Sequence, residues 1–238
     1  MSYLRPPKIP DRATFGVPTA PKVARSGRDS VARMGPLLVS GRDADVFAID
    51  AHRVLRRYRD GSDVTAEAAV MRGVGAHGFP VPTVHSADGA DLIMERLDGG
   101  TMMQALRLGE LTPADAAGML ADLHTRLHAI PGPDPARRIL HLDLHPENVM
   151  MSSRGPLVID WRNAADGPPE LDVALSALIL AQLVVAGVSG RELLDAFVAR
   201  TGDQTALGLE AAVERRRRDP NLTAREVDQL TAAAGLVS

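Results

Sequence analysis

Residues 141–150, HLDLHPENVM, combine side-chain types that could carry out phosphoryl transfer. They contain a His-x-Asp-x4-Asn pattern made by His141, Asp143 and Asn148, and an apolar run ends at Asp160, twelve residues after the asparagine. Phosphoryl transfer requires an oriented nucleophile and cations over the developing charge. A carboxylate can accept the hydrogen bond of an attacking hydroxyl, and Mg²⁺ takes hard oxygen ligands such as those of Asn and Asp. The spacing therefore predicts a base at Asp143 and metal ligands at Asn148 and Asp160.

The elements that must position these residues begin with a β-rich segment. Short β-type runs separated by Gly and Asp turns lie at residues 36–40, 45–49, 53–58, 83–87 and 91–97. One helical segment interrupts them, from about Ser62 to Gly75, with Ser62 or Asp63 as its predicted cap. This pattern predicts a small antiparallel N-lobe over residues 37–98.

Helical periodicity follows the Gly99–Gly100 pair. A helix is predicted to start at Thr112, and another cap is predicted at Thr223 with Glu226. The arginine run at 215–218 is predicted to end a helix, where the terminal carbonyls favour cations. We therefore expect an α+β, protein-kinase-like two-lobed fold with a larger, mainly helical C-lobe over 99–238. Residues 1–36, rich in Pro and basic side chains, are predicted to form a partly irregular leader.

Composition excludes several classes of function. The 238-residue chain has no cysteine, which excludes thiol nucleophiles, Cys-zinc sites and disulfide scaffolds and permits a cytoplasmic location. Aromatic residues make up 3% of the chain, which disfavours nucleic-acid binding by stacking. The apolar stretch at 173–188 is shorter than a membrane span and predicts a buried helix. We therefore expect neither a nucleic-acid nor a membrane partner.

The sequence of the catalytic segment resembles that of one family. HxDxHPxN followed by Ile-Asp-Trp at 159–161 is similar to the aminoglycoside phosphotransferase and choline kinase-like family. Protein kinases instead have Arg where this chain has Leu142, and Phe-Gly where it has Trp161 and Arg162. The resemblance, which extends more weakly over residues 37–200, implies a kinase that uses Mg²⁺ and ATP, with GTP as the alternative donor. Its acceptor would be a hydroxyl of a small molecule, such as an aminoglycoside or other antibiotic, or a choline- or sugar-like metabolite.

The same resemblance implies roles for two further residues of the C-lobe. Asp172 matches the aspartate that steadies the catalytic loop from a C-lobe helix, and His141 matches the motif's structural histidine. This chain has Leu142 and Glu147 where the family often has Gly. Glu147 adds a negative charge beside a metal ligand, unless its side chain points toward the acceptor or the solvent.

In the N-lobe, a kinase needs a cation on its third strand to reach the nucleotide phosphates. Strand alternation puts Val54 and Arg56 on one face, so we expect Arg56 to meet the phosphates and Val54 to line the adenine slot. Arg57 is the alternative if the register differs by one residue. Glu67 is the expected ion-pair partner, since it is the acidic residue of the helix that follows.

Two further nucleotide contacts are expected in the N-lobe. The turn at residues 41–45 has one glycine, Gly41, where protein kinases use three, so it is a weak candidate for covering the phosphates. Adenine would bond to the backbone of the lobe connection at residues 94–97, which includes Glu95 and Leu97.

Three other functions compete with this hypothesis. His124 and His128 have zinc-ligand spacing, but HTRLH lacks the glutamate of a zinc hydrolase. A protein kinase is disfavoured because eleven residues between Asp160 and Asp172 leave no room for a long activation segment. A catalytically weak kinase fold that binds nucleotide or a partner is the remaining alternative, motivated by Arg56 in place of the usual Lys.

Charge suggests one property of the acceptor. Residues 1–60 carry 12 basic and 6 acidic side chains, and residues 61–238 carry 15 and 24, which gives +6 and −9. An acidic C-lobe would raise the local concentration of a cationic acceptor. A cationic small molecule is therefore a hypothesis for the acceptor.

Overall fold

The N-terminal half forms a five-stranded antiparallel sheet. The computed structural model describes residues 35–132, 134, 137–188, 190–220 and 222–237, so the predicted leader, apart from Gly35 and Pro36, lies outside them. The strands are β1 (Leu37–Ser40), β2 (Ala44–Ala48), β3 (Arg53–Tyr58), β4 (Val84–Asp88) and β5 (Asp91–Glu95), in the order β1-β2-β3-β5-β4. β3 runs between β2 and β5, which places its side chains at the centre of the sheet.

Helix α1 (Thr65–Ala76) follows β3 in the chain, precedes β4 and packs against β4. The predicted start at Ser62 was wrong by three residues, and neither Ser62 nor Asp63 is its N-cap. The N-cap is Val64, which has no side-chain cap bond, while the Asp63 carboxylate accepts the Thr65 N–H at 2.6 Å. An aspartate that bonds the amide two residues on forms an Asx turn, and this turn competes with a helix cap.

The C-lobe contains six helices among the described residues. They are α2 (Met102–Leu108), α3 (Pro113–His128), α4 (Pro169–Val185), α5 (Arg191–Arg217), α6 (Ala224–Asp228) and α7 (Leu230–Gly235). The predicted caps are present, since Thr112 accepts the Asp115 N–H and Thr223 forms a capping box with Glu226. The arginine run ends α5, as the sequence predicts. The α+β division into a β-rich N-lobe and a mainly helical C-lobe is therefore confirmed.

Two small hairpin-like sheets in the C-lobe frame the chemistry-bearing loops. β6 (Arg138–Leu140) pairs with β9 (Ala165–Gly167), and β7 (Val149–Ser152) pairs with β8 (Gly155–Val158). The catalytic loop, defined here as residues 141–148, connects β6 to β7. Asp160 follows β8 directly. The paired strands fix both ends of the catalytic loop and both ends of the loop that contains Asp160. These two loops carry the candidate base and the candidate metal ligands.

Helix α4 is the central element of the C-lobe core. Residues 172–181 are all buried, and α4 packs closely on α5 where Gly208 lies against the backbone of Glu170. A Cβ at Gly208 would lie 2.1 Å from the Glu170 carbonyl oxygen, so only glycine permits this helix crossing. The apolar stretch at 173–188, predicted to be a buried helix, is buried as far as residue 181, whereas the helix ends at Val185 and residues 186–188 are exposed. Among the described residues, no helix has the length and apolar character to cross a membrane.

Candidate active site

The catalytic loop brings Asp143 and Asn148 into direct contact. The Asn148 Nδ2 donates to the Asp143 carbonyl oxygen at 2.9 Å and to its Oδ2 at 3.2 Å. A 3-10 turn at Pro146–Asn148 carries the asparagine back toward the aspartate. Both amide hydrogens are therefore used within the loop, and the Asn148 Oδ1 has no partner among the described residues.

Asp160 faces the same site from the loop after β8. Its Oδ1 accepts from the Arg56 Nη2 at 2.6 Å, and its side chain is 40% exposed. Asp160 and Leu142 have φ values of 64° and 65°, the two positive values among described residues other than glycine. A left-handed backbone at such residues costs of order 1–3 kcal/mol and persists where the surroundings hold it. Both strained residues lie within the candidate site.

Arg56 forms a buried ion pair inside the N-lobe and also contacts Asp160 of the C-lobe. Its Nη1 donates to the Glu67 Oε1 at 2.6 Å, and both side chains are buried. Glu67 also accepts from the Tyr58 hydroxyl at 2.7 Å and from the Trp161 N–H at 3.2 Å. Burial opposes the Arg56 charge, yet the carboxylates of Glu67 and Asp160 raise the pKa of Arg56 above its ordinary value. The guanidinium thus stays charged beside the candidate metal ligand.

Strand alternation separates Arg56 from Arg57 in the structure. Val54 and Arg56 are buried, whereas Arg57 turns the other way and pairs with Asp91 at 2.6 Å. The structure therefore brings Arg56 and Glu67 to the site together with Asp160. It places Arg57 on the opposite face of the sheet.

The lobe connection leaves part of its backbone without a protein partner. Among the described residues, Leu97 makes no hydrogen bond through its N–H or C=O. A cavity of 530 Å³ lies beside it, lined by Ala51, Arg96, Leu97, Asp98 and Gly99. The Glu95 side chain points elsewhere and accepts from the Thr83 N–H and from Arg154. The Leu97 backbone is therefore available for a ligand at this edge, and the Glu95 carboxylate is not.

Two arginine side chains, Arg59 and Arg162, contact the turn after β1. The Gly41 N–H donates to the Ala44 carbonyl at 2.9 Å, and Arg59 donates to the Gly41 carbonyl at 2.8 Å. Arg162, two residues after Asp160, lies 3.4 Å from the Asp43 carboxylate in this turn. The turn thus reaches the segment that follows the candidate metal ligand.

Glu147 lies outside the metal-facing side of the catalytic loop. Its carboxylate accepts from the Thr101 hydroxyl at 3.0 Å and lies 3.6 Å from Arg107 on α2. The concern that Glu147 adds charge beside Asn148 does not apply in this arrangement, because its side chain turns toward α2.

Buried side chains beneath the loop hold its backbone. The Asp172 Oδ1 accepts the Leu142 N–H at 2.6 Å, and its Oδ2 accepts the His141 N–H at 3.1 Å. The His141 Nε2 lies 3.0 Å from the Ile159 carbonyl, next to Asp160. Asp172 therefore bonds the catalytic loop to α4, and His141 bonds it to the segment that leads to Asp160.

Electrostatics distinguish Asp143 from an ordinary surface aspartate. Burial raises the pKa of Asp143 to about 6, while the Arg216 guanidinium opposes this shift and the Asp160 carboxylate adds to it. Burial lowers the pKa of His145 to about 4, and the Arg216 guanidinium acts in the same direction. Asp143 is therefore largely ionised at neutral pH beside a neutral imidazole.

Sequence reasoning missed three residues that the structure brings to the site. The His145 Nε2 lies 3.7 Å from the Asp143 Oδ1, and its place inside HxDxHPxN could have signalled it. Arg162 stacks on the Tyr58 ring at 4.5 Å and could have been noted beside Asp160. Arg216, bonded to Gln182 at 2.9 Å, reaches the site through the α4–α5 packing, which no local pattern reveals.

Solved structures share this architecture at low sequence identity. Aminoglycoside phosphotransferase APH(2'')-Ib with ADP bound is 14% identical, with a TM-score of 0.54 over 87% of this chain and 96% of that one. A choline/ethanolamine kinase family protein from Mesorhizobium loti is also 14% identical, with a TM-score of 0.53 and coverage of 87% and 89%. Amicoumacin kinase hAmiN is 13% identical, with a TM-score of 0.51 and coverage of 87% and 90%. These likenesses show the fold of small-molecule kinases.

The family model gives the narrower result. The model of the phosphotransferase enzyme family matches residues 36–138 and 132–217, most of the chain. No curated protein sequence matches significantly. The chain belongs to the phosphotransferase enzyme family, which confirms the resemblance seen in its catalytic segment. It is therefore an enzyme of the small-molecule kinase class.

Proposed function

We propose that this phosphotransferase moves the γ-phosphoryl group of Mg·ATP to a hydroxyl of a small molecule. The proposal rests on one arrangement of side chains. Asn148 contacts Asp143 in the catalytic loop, and Asp160 contacts Arg56, which pairs with Glu67. Each part matches a requirement of phosphoryl transfer, namely an oriented nucleophile, hard oxygen ligands and a cation at the phosphates.

Asp143 is the proposed catalytic base. Its carboxylate is ionised at neutral pH and can accept the hydrogen bond of the attacking hydroxyl as the new P–O bond forms. Asn148 holds the carboxylate at 3.2 Å and fixes its orientation. The proton of the hydroxyl passes to Asp143 while ADP leaves as the other product.

Asn148 and Asp160 fit a magnesium ion. The Asn148 amide donates its hydrogens within the loop and leaves Oδ1 outward, and the Asp160 Oδ2 has no partner among the described residues. These are hard oxygen donors of the kind that Mg²⁺ prefers. A bound Mg²⁺ supplies neutralisation of the charge on the phosphate oxygens.

The N-lobe supplies the proposed nucleotide contacts. Arg56 lies where it can meet the phosphates next to Asp160, and Val54 shares its face of β3. The unpartnered Leu97 backbone, with one N–H donor and one carbonyl acceptor, would bond the purine of ATP, with GTP as the alternative donor. Gly41 is the weakest of the proposed contacts, because its N–H already donates to Ala44 and its carbonyl already accepts from Arg59.

The proposed acceptor is a hydroxylated small molecule, with cationic compounds as the first class to test. Solved structures of similar fold include one enzyme, APH(2'')-IIa, in complex with streptomycin and ATP and in complex with gentamicin. The excess of acidic side chains in residues 61–238 favours such cations. We expect the reaction to occur in the cytoplasm, a reducing compartment that suits a chain without cysteine.

The test is ADP release with Mg·ATP and a panel of aminoglycosides, other hydroxylated antibiotics, choline-like alcohols and sugars. The Asp143→Asn variant should lose about 10²–10⁴-fold in acceptor-dependent rate, the range typical of a general base. Asp122→Asn, an exposed aspartate on α3, is the matched control and should keep the wild-type rate. Nucleotide binding is followed separately by the fluorescence of Trp161, the one tryptophan of the chain, which is buried next to Asp160.

Two results would overturn the proposal. If wild type and Asp143→Asn turn over equally slowly across the panel while Mg·ATP still changes the Trp161 signal, the chain is the nucleotide-binding, catalytically weak alternative. If Mg·ATP leaves the Trp161 signal unchanged at every concentration, the proposed nucleotide site is wrong.

A further inference from the structure

A buried histidine on α3 contacts both side chains that anchor the catalytic loop. The His124 Nε2 lies 2.8 Å from the Ser176 Oγ, and its Nδ1 lies 3.5 Å from the Asp172 Oδ2. Asp172 holds the loop before the candidate base, at Leu142 N–H. Ser176 holds it after the base, since its hydroxyl donates to the Leu144 carbonyl at 2.6 Å. His124 thus connects the two anchors that flank Asp143.

The hydrogen bonds of Ser176 determine one ring proton of His124. A serine hydroxyl has a single hydrogen, and a carbonyl oxygen can only accept, so that hydrogen goes to Leu144. Ser176 must then accept from His124, and the His124 Nε2 must carry a hydrogen. In a neutral ring the other nitrogen would have a bare lone pair.

That other nitrogen faces a carboxylate. The His124 Nδ1 is fully buried without a hydrogen-bond partner, and His124 is 2% exposed. A lone pair 3.5 Å from the Asp172 Oδ2 would be left unsatisfied beside a negative charge, an arrangement that is costly in a buried site. A protonated Nδ1 instead forms a charge-assisted contact with Asp172.

We infer that His124 is held as an imidazolium and is a positioning residue for the catalytic loop. Its charge faces Asp172, and its second N–H orients the Ser176 hydroxyl toward Leu144. Through these contacts it holds the backbone on both sides of Asp143, including the strained Leu142 at φ 65°. This kinetic role rests on the proposed function, whereas the protonation state does not.

The groups around His124 are compatible with a positive charge there. Those that face it or Asp172 come from four elements: His128 on α3, Asp172 and Ser176 on α4, His141 in the catalytic loop, and Phe197 and Arg215 on α5. His141 donates its Nε2–H to the Ile159 carbonyl, and burial lowers its pKa, which favours the neutral ring. Asp172 is therefore the carboxylate that balances the charge.

A metal ion is the competing occupant of this cluster. Ligand atoms of His124, His128 and Asp172 lie within 4.8 Å of one another, and two histidines with an aspartate are zinc ligands in other proteins. The Asp172 oxygens, however, already accept from Leu142, His141 and His128. A zinc ion would have to displace the His128 hydrogen from its 3.0 Å bond.

Protonation is tested directly by NMR of the purified full chain labelled in the histidine ring nitrogens. We expect hydrogens on both ring nitrogens of His124 at neutral pH, with the signals assigned by their loss in His124→Asn. A single protonated nitrogen would overturn the imidazolium assignment. Stoichiometric zinc in elemental analysis of the same sample would overturn it as well.

Positioning is tested by ADP release from Mg·ATP, with water as the acceptor if the panel yields none. In His124→Asn the amide can donate to Asp172 but reaches Ser176 less well, and in His124→Leu both contacts are lost. We expect kcat to fall about 10–100-fold in His124→Leu, as for other residues that orient a catalytic group, and less in His124→Asn. The KM for ATP should stay within about twofold, because α3 does not touch the nucleotide groups.

Controls separate this role from folding and from the proposed function. His85→Asn, an exposed histidine on β4, should behave as wild type. Unfolding curves identify any variant that fails to fold, in which case the NMR result decides. Two outcomes in folded His124→Leu would overturn the positioning role. One is a kcat equal to that of the wild type, and the other is a KM for ATP that rises by the same factor as kcat falls. Absence of turnover in the wild type would instead refute the proposed function and leave the NMR assignment intact.

Discussion

Replacing Arg56 with methionine should expose how much the buried pair at the lobe junction stabilises the protein. The change removes the guanidinium but keeps an unbranched side chain in the space. Glu67, whose side chain is 4% exposed, then remains buried with hydrogen bonds from Tyr58 and Trp161 only. Asp160 loses its partner as well but remains 40% exposed to water.

The expected loss in the free energy of unfolding follows from how deeply Glu67 and Asp160 are buried. Removing one member of a buried pair costs about 3–5 kcal/mol, and the two hydrogen bonds left on Glu67 place the expected loss near the lower end, about 3 kcal/mol. Glu67→Gln should cost less, about 2 kcal/mol, because Arg56 keeps Asp160 as a partner. The double variant should lose about as much as Arg56→Met alone, so the coupling energy is about 2 kcal/mol.

The measurement is urea unfolding followed by the fluorescence of Trp161, which is 1% exposed in the folded protein. Arg57→Met is the matched control on the same strand, because its pair with Asp91 has side chains 34% and 28% exposed. Such a pair contributes about 0–1 kcal/mol. If the free energy of unfolding falls no further in Arg56→Met than in Arg57→Met, the buried Arg56–Glu67 pair stabilises the protein no more than an exposed pair does.

Two other predictions concern the helical core and are measured by unfolding. Gly208→Ala should destabilise the protein by about 1–3 kcal/mol, because its Cβ would overlap the Glu170 carbonyl at 2.1 Å. Gly202→Ala on the same helix meets no atom within 4 Å and should stabilise by about 0.5–1 kcal/mol, so equal effects at the two sites would contradict the packing described. Burial would raise the pKa of Asp172, but the adjacent His124 ring and the hydrogen bond from His128 hold it well below its ordinary value. The stabilisation that this carboxylate provides is complete above the unfolded pKa of about 4 and is lost as the pH falls below it. The stability gap between wild type and Asp172→Asn should therefore narrow by about 1.4 kcal/mol per pH unit below pH 4, and a constant gap would refute this.

Local patterns were enough to predict several elements correctly. The β3 run was predicted at residues 53–58 and is observed there, and its alternation correctly separated Arg56 from Arg57. The start of α3 at Thr112 and the Thr223 capping box were also predicted. These features depend on neighbours within a few residues, so the sequence is sufficient to specify them. The start of α1 was mispredicted because an Asx turn competed with a cap.

Contacts between distant segments could not be predicted in the same way. The link from His124 to the two loop anchors spans α3 and α4, and the approach of Arg216 to the site requires α5 to pack on α4. The sequence showed His124 only as one member of a pair with metal-ligand spacing. Its contact with Asp172 depends on how two helices are placed against each other.

The sequence by itself determined the family, the lobe order and the set of side chains for the chemistry. The spacing of Asp143, Asn148 and Asp160 predicts the proposed reaction, because those residues lie in two short loops that follow predictable strands. Tertiary structure alone decided which groups surround Asp143 and hold its loop. Burial and charge at that point come from helices far away in the chain, and a pKa of about 6 arises only when those helices have packed.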